Sequence, residues 1–176
     1  MPVVTMISSA SPTSGKGPTF SSIPSTYEDL LVIGSMKNDR TAGSGTIVNR
    51  LEVRMNGDTG SNYMYGYWGP QQGSLLAEYQ NGWNAMMMIG SSSSASSNTG
   101  WGSFWVYIPG YKNTTEYKSV QVIAAFSQGP SLLEAAVTGK GCWKSNAAIN
   151  ELSFETAYGT NVVAGTNLVL YGISNS

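Results

Sequence analysis

The stretch IVNRLEVRMNGDTGSNYMYGYW, Ile47 to Trp68, holds two strand signals and the turn between them. In its first part Leu51, Val53 and Met55 alternate with Arg50, Glu52 and Arg54. Side chains of a strand point to opposite faces in turn, so this is a half-buried strand, apolar inside and able to form ion pairs outside. The next residues, Asn56, Gly57, Asp58 and Gly60, read as a structural corner. Asn and Gly accept positive φ, an Asp side chain caps a turn through backbone N–H groups, and a second Gly permits the reversal. Tyr63, Tyr65 and Tyr67 then share one face of a second strand, with Trp68 following.

The same period of two recurs outward from this point. WGSFWVYIP (101–109) sets Phe104, Val106 and Ile108 against Trp101, Ser103, Trp105 and Tyr107. KSVQVIAAF (118–126) sets Val120, Val122, Ala124 and Phe126 against Ser119, Gln121, Ile123 and Ala125. DLLVIGSMK (29–37) and NLVLYGI (167–173) are more continuously apolar, as strands covered on both faces would be. Turn signals stand between these runs: NGDTG, GPQQG, Asn81-Gly82, PGYKN, QGP and YGTN. Helical patterning is poor. The expectation is an all-β, jelly-roll-like antiparallel sandwich of about eight strands. Residues 1–18, with one short apolar strand and a Ser/Pro/Gly linker, read as an extended N-terminal arm, and 19–176 as the sandwich domain. GSSSSASSNTG (90–100) reads as a long polar loop.

Composition limits the chemistry. The chain has 176 residues, enough for one domain with a sizeable core. Only 11% are charged and the net charge is −1, with Lys and Arg scattered, so a nucleic-acid partner is not expected. There is no histidine, which removes Ser-His-Asp and Cys-His catalysis and the usual zinc sites. The single Cys142 reads as a small strand hydrophobe. Glu28, Asp29, Glu52, Asp58, Glu151 and Glu155 are the carboxylates that could pair as in a glycosidase, but their strand positions read as outward or ion-paired. NGDTGSN lacks the ligand spacing of a calcium loop, and TGKGCW lacks that of a phosphate loop, so no metal or cofactor is expected. Neither a signal peptide nor an apolar run of membrane-spanning length is legible, so no membrane partner is expected. The aromatics remain: Tyr63, Tyr65, Tyr67, Trp68, Trp83 and Trp101 suit core packing, a subunit interface or a sugar platform.

FSSIPSTYEDLLVIGSMK (20–37) followed by LEVRMNGDTGSNYMY (51–65) resembles a module of tailed-bacteriophage structural proteins, which closes with a strand of the type seen here as LVLYGI (168–173). The resemblance spans roughly Thr19 to Ile173. It implies a jelly-roll-like sandwich and a virion component without catalytic residues. Its implied role is a capsid decoration or cement protein, a homotrimer bridging subunits of the major capsid protein, with Val3, Val4, Met6 and Ile7 of the arm as assembly contacts. The alternative it leaves is a tail or fibre-tip module that binds host-surface glycan through the aromatics.

Overall fold

The computed structural model describes residues 1–39, 48–71, 74–93, 100–127, 134–157 and 161–175. The expected turns at QGP, most of YGTN and part of GPQQG lie outside these residues, as does most of the polar loop at 90–100. Among the described residues the chain is all β. Twelve strands follow in order: β1 (Pro2–Ala10), β2 (Thr19–Phe20), β3 (Asp29–Asn38), β4 (Val48–Met55), β5 (Tyr63–Gln71), β6 (Ser74–Trp83), β7 (Met86–Ser93), β8 (Gly102–Ile108), β9 (Lys118–Ser127), β10 (Glu134–Trp143), β11 (Leu152–Thr156) and β12 (Asn167–Asn175).

They form a sandwich of an eight-stranded and a four-stranded antiparallel sheet. The larger sheet runs β1-β12-β3-β8-β9-β10-β5-β6, and the smaller β2-β11-β4-β7. A short parallel pairing of Met36–Asn38 with Ser91–Ser93 joins the two. Alternation predicts about eight strands in the whole sandwich; twelve are present among the described residues, and β10 is one that Gly139 and Gly141 hide from the sequence pattern. The long strands are nested: β3 pairs with β12, β4 with β11, and β5 with β10. Two of these nested pairs lie in the larger sheet and one in the smaller, so the chain crosses between layers as it enters and leaves each pair.

Period two decides which side chains fill the space between the sheets. Leu51, Val53 and Met55 of β4 face Phe104, Val106 and Ile108 of β8 and Val120, Val122, Ala124 and Phe126 of β9, all buried. Phe154 of the small sheet joins the layers, with its ring centroid 6.2 Å from Phe20 and 6.0 Å from Phe104. On the opposite face of β4, Arg50 makes a two-pronged ion pair with Glu78 of β6, at 2.9 and 2.5 Å. That pair ties β6 of the large sheet to β4 of the small one.

The N-terminal segment is extended and lies back on its own chain. β1 pairs with β12 from Pro2 to Ala10, with a bulge between Met6 and Ser8. The linker that follows is tied to the small sheet: Lys16 and Pro18 carbonyls accept from the Thr156 and Phe154 amides, at 3.0 and 2.9 Å. β1 is therefore the edge strand of the large sheet.

Two parts of the sequence likeness meet in space. Tyr27 of IPSTY lies against Gly172 of LYGI: a Cβ placed on Gly172 would sit 2.3 Å from the Tyr27 ring. The Glu28 amide donates to the Ile173 carbonyl beside it, at 2.8 Å. Gly172→Ala must push the ring away, at a cost of about 1–3 kcal/mol. Denaturant unfolding should show that loss, and in a Tyr27→Ala background the added cost should shrink. An equal cost in both backgrounds would contradict the contact.

Candidate functional site

The corner is built as the sequence suggests. Asn56 and Gly57 both take positive φ, 51° and 64°, and the Asp58 amide donates to the Met55 carbonyl at 3.0 Å. That is a type I′ turn, which Asn-Gly favours. Its side chains reach outward to another segment. Asn56 Oδ1 accepts from the amides of Asn150 and Glu151, at 2.9 and 3.1 Å, and its Nδ2 donates to the Ala148 carbonyl at 2.8 Å. The Asp58 carboxylate accepts from the Gly60 amide at 2.8 Å, Asn62 Nδ2 at 2.9 Å and the indole N–H of buried Trp143 at 2.7 Å.

Burial pushes the Asp58 carboxyl up, but the three donors, Trp143, Asn62 and Gly60, outweigh it and hold the group below its ordinary 3.8. Tyr63 accepts from the Met55 amide at 3.0 Å and donates to the Asp58 carbonyl at 3.1 Å. Burial raises its hydroxyl to about 12. The corner is thus a fully engaged joint.

Of the other candidate carboxylates, Glu28, Asp29, Glu52 and Glu155 are also engaged. Glu28 pairs with Lys112 at 2.7 Å. Asp29 accepts from the Tyr107 hydroxyl at 2.7 Å and the Gly110 amide at 2.9 Å. Glu52 and Glu155 both pair with Arg54, the latter at 2.9 Å. Among the described residues no group of three or more His, Cys, Asp or Glu could hold a metal ion.

The aromatics divide by face. Tyr63, Tyr65 and Tyr67 point into the sandwich and are buried. Their suggested binding role is corrected to core packing: strand alternation puts all three on the inner face and leaves Met64, Gly66 and Trp68 outside. Tyr65 and Tyr67 stack on each other and donate to Glu78, at 3.3 and 2.6 Å. Trp83, partly exposed, closes β6. Trp101 packs against Gly165 and carries Lys37 Nζ at 5.7 Å from its ring, away from Trp68. In the N-terminal strand Val3, Val4 and Met6 are exposed, whereas Ile7, at the bulge, packs on the core.

Trp68 has company that sequence spacing does not reveal. Cross-strand register places Val169, Ile33, Trp105, Ile123, Thr138 and Trp68 directly opposite one another across β12, β3, β8, β9, β10 and β5. They stand on the outer face of the large sheet. Ile33, Ile123 and Trp68 are each close to half exposed, at 49, 46 and 48%. The continuous apolar runs of β3 and β12 predict cover on both faces; the described chain covers only one. At the β6 end this outer face forms a groove of ≈ 830 Å³, bounded by Trp105, Trp68 and Tyr79. From sequence, Trp105 and Tyr79 are legible only as positions along their strands, because strand order is what brings them together.

The chain matches no protein-family model, no curated protein and no solved structure.

The corner yields an acid-stability test. Asp58 contributes stability above its unfolded value of 3.8, lost as pH falls through its depressed folded value. Asp58→Asn should lower stability at neutral pH by about 1–3 kcal/mol and flatten its fall between about pH 5 and pH 2. Thermal melts across that range check it; an unchanged pH profile would contradict the assignment.

Proposed function

We propose that this chain is a non-enzymatic structural protein of a bacteriophage virion, a capsid decoration or cement protein that bridges subunits of the major capsid protein as a homotrimer. The observation that carries the reading is apolar surface at the β1 end of the large sheet that the chain leaves in water. Val3, Val4 and Met6 are at least half exposed on an edge strand that contains no charge, and Ile33 lies on the same sheet. Natural sheets usually block such edges with Lys, Pro or bulges. Here Pro2 only begins the strand and the bulge lies beyond Met6, so the run from Val3 to Met6 stays open to a further strand. Contiguous exposed apolar surface marks a place where another molecule sits. The likeness of the IPSTY, NGDTGSNY and LYGI segments to phage structural modules supplies the setting.

Contacts formed only in the assembled shell would stabilise that shell by mass action, because the bridging chain binds the assembled state and not its parts. A neighbouring subunit would add a strand to β1 and cover the side chains beside it. A second reading, a tail or fibre-tip module that binds host-surface glycan, is favoured by the aromatic groove at the β6 end.

The test uses surface variants that leave the core alone. Val4→Lys with Met6→Lys places charge on exposed β1 positions. The variant should melt as the parent does and lose attachment to phage heads, measured as occupancy on purified particles. Unchanged occupancy would contradict the role given to β1. Immunogold labelling with antibody to the chain should mark heads; label at the tail end would favour the second reading, and no label on any particle would remove both.

A further inference from the structure

We propose that the groove at the β6 end of the large sheet is a binding site for an acidic saccharide, a chain of sugars that carry carboxylate groups. This deepens the second reading of the groove and does not depend on where in a virion the chain sits.

The walls are aromatic. Trp105 of β8 and Trp68 of β5 lie in one cross-strand row, separated by β9 and β10. Three strand spacings put them about 14 Å apart. Tyr79 of β6 stands opposite Gly66, and a Cβ on Gly66 would lie 3.8 Å from its ring, so the tyrosine leans over bare backbone. All three side chains reach solvent, with Tyr79 64%, Trp68 48% and Trp105 37% exposed. Exposed aromatic rings have an apolar body that can stack on the C–H face of a sugar ring.

The floor decides between ligands. In the row beside the two tryptophans, Gln121, Lys140 and Gly66 stand opposite one another, ending at Tyr79. Thr138 lies between Ile123 and Trp68. The Gln121 amide both donates and accepts, and the Thr138 hydroxyl, which donates to the Val122 carbonyl at 3.4 Å, keeps its acceptor lone pairs, which suits ligand hydroxyl groups. Lys140 is exposed and, among the described residues, has no carboxylate within ion-pair distance. Glu78 is the acidic residue that borders the groove, but its carboxylate is turned inward to Arg50, Tyr65 and Tyr67.

A lysine without a neighbouring carboxylate among the described residues, ringed by aromatic faces and neutral hydrogen-bonding groups, is complementary to a ligand of low negative charge density. One lysine is too little for a phosphodiester backbone, whose binding requires several clustered cations. A purely apolar segment would bury the Gln121 amide and the Lys140 ammonium without compensation, which costs free energy. An acidic sugar chain satisfies all three features: rings on Trp68, Trp105 and Tyr79, hydroxyls on Gln121 and Thr138, and a carboxylate on Lys140. The groove volume of ≈ 830 Å³ lies within the range of about 300–1,000 Å³ for small-ligand sites.

The full chain would be titrated with oligogalacturonate, oligoalginate and polysialic acid, following tryptophan fluorescence and calorimetry. Methyl-esterified oligogalacturonate and polyglutamate serve as controls. At least one acidic saccharide should bind saturably and more weakly as salt rises. Lys140→Gln should lower that affinity about tenfold, and Trp68→Ala should lower it by as much or more, with melting temperatures close to the parent's. The ester and polyglutamate should bind at least about tenfold more weakly, since each lacks either the charge or the sugar ring. Absence of saturable binding to all three acidic chains would overturn the proposal, as would equal binding of polyglutamate or affinity unchanged in both variants. Sedimentation is the further check: a copy of the chain seated in the groove would appear as self-association abolished by Trp68→Ala, and that result would also overturn it. None of these outcomes bears on labelling of phage heads, so failure here leaves the assembly reading standing.

Discussion

The sandwich depends on two crossings of the chain between its sheets being bonded to each other. β4 belongs to the small sheet and β5 to the large one, and the Asn56–Asn62 corner carries the chain across. The return crossing, from β10 to β11, runs beside it. Asn56 grips the return segment at Ala148, Asn150 and Glu151, Asp58 holds Trp143, and the Lys144 amide donates to the Asn62 carbonyl at 2.8 Å. A polar side chain that substitutes for missing backbone partners can hold a bend that regular pairing cannot span. At the other end Asp39 and Asn161 do the same, with three bonds between them at 2.8–2.9 Å. These clamps fix which strands nest, and the nesting fixes the order of the large sheet. Strand order in turn brings Trp105, Trp68 and Tyr79 around one groove.

Much of this architecture is legible from alternation. The inward positions of 51–55, 104–108 and 120–126 are the buried ones. The corner is legible because Asn-Gly followed by Asp has a narrow set of conformations. Other features are not. β10 contains Gly139 and Gly141, which weaken a strand pattern. Neighbours take the space their missing side chains leave: Tyr67 lies 3.0 Å from where a Cβ on Gly139 would stand, and the Met86 sulfur 2.3 Å from where one on Gly141 would. Asn81-Gly82 reads as a turn, yet Gly82 takes its positive φ of 74° inside the end of β6. The tyrosine triplet shares one face, as its spacing requires, but alternation alone does not say which face meets the core. The apolar runs of β3 and β12 imply cover on both sides, and periodicity cannot tell cover by the same chain from cover by another molecule.

The large sheet therefore has two regions of different character. Its β1 end is an open strand edge with valine and methionine in water, suited to further strands and apolar surface. Its β6 end combines aromatic faces with neutral hydrogen-bonding groups and a lysine. The Glu78–Arg50 pair ties β6 to the small sheet beneath that second region; it is two-pronged and shares its carboxylate with Tyr65 and Tyr67.

The most direct measurement is hydroxyl-radical footprinting of the outer face, comparing the isolated chain with the chain on purified phage particles. Capsid attachment through the β1 end predicts strong protection of Val4, Met6 and Ile33 on the particle, with Trp68 and Tyr79 still reactive. Equal labelling of Val4, Met6 and Ile33 in both states would contradict it.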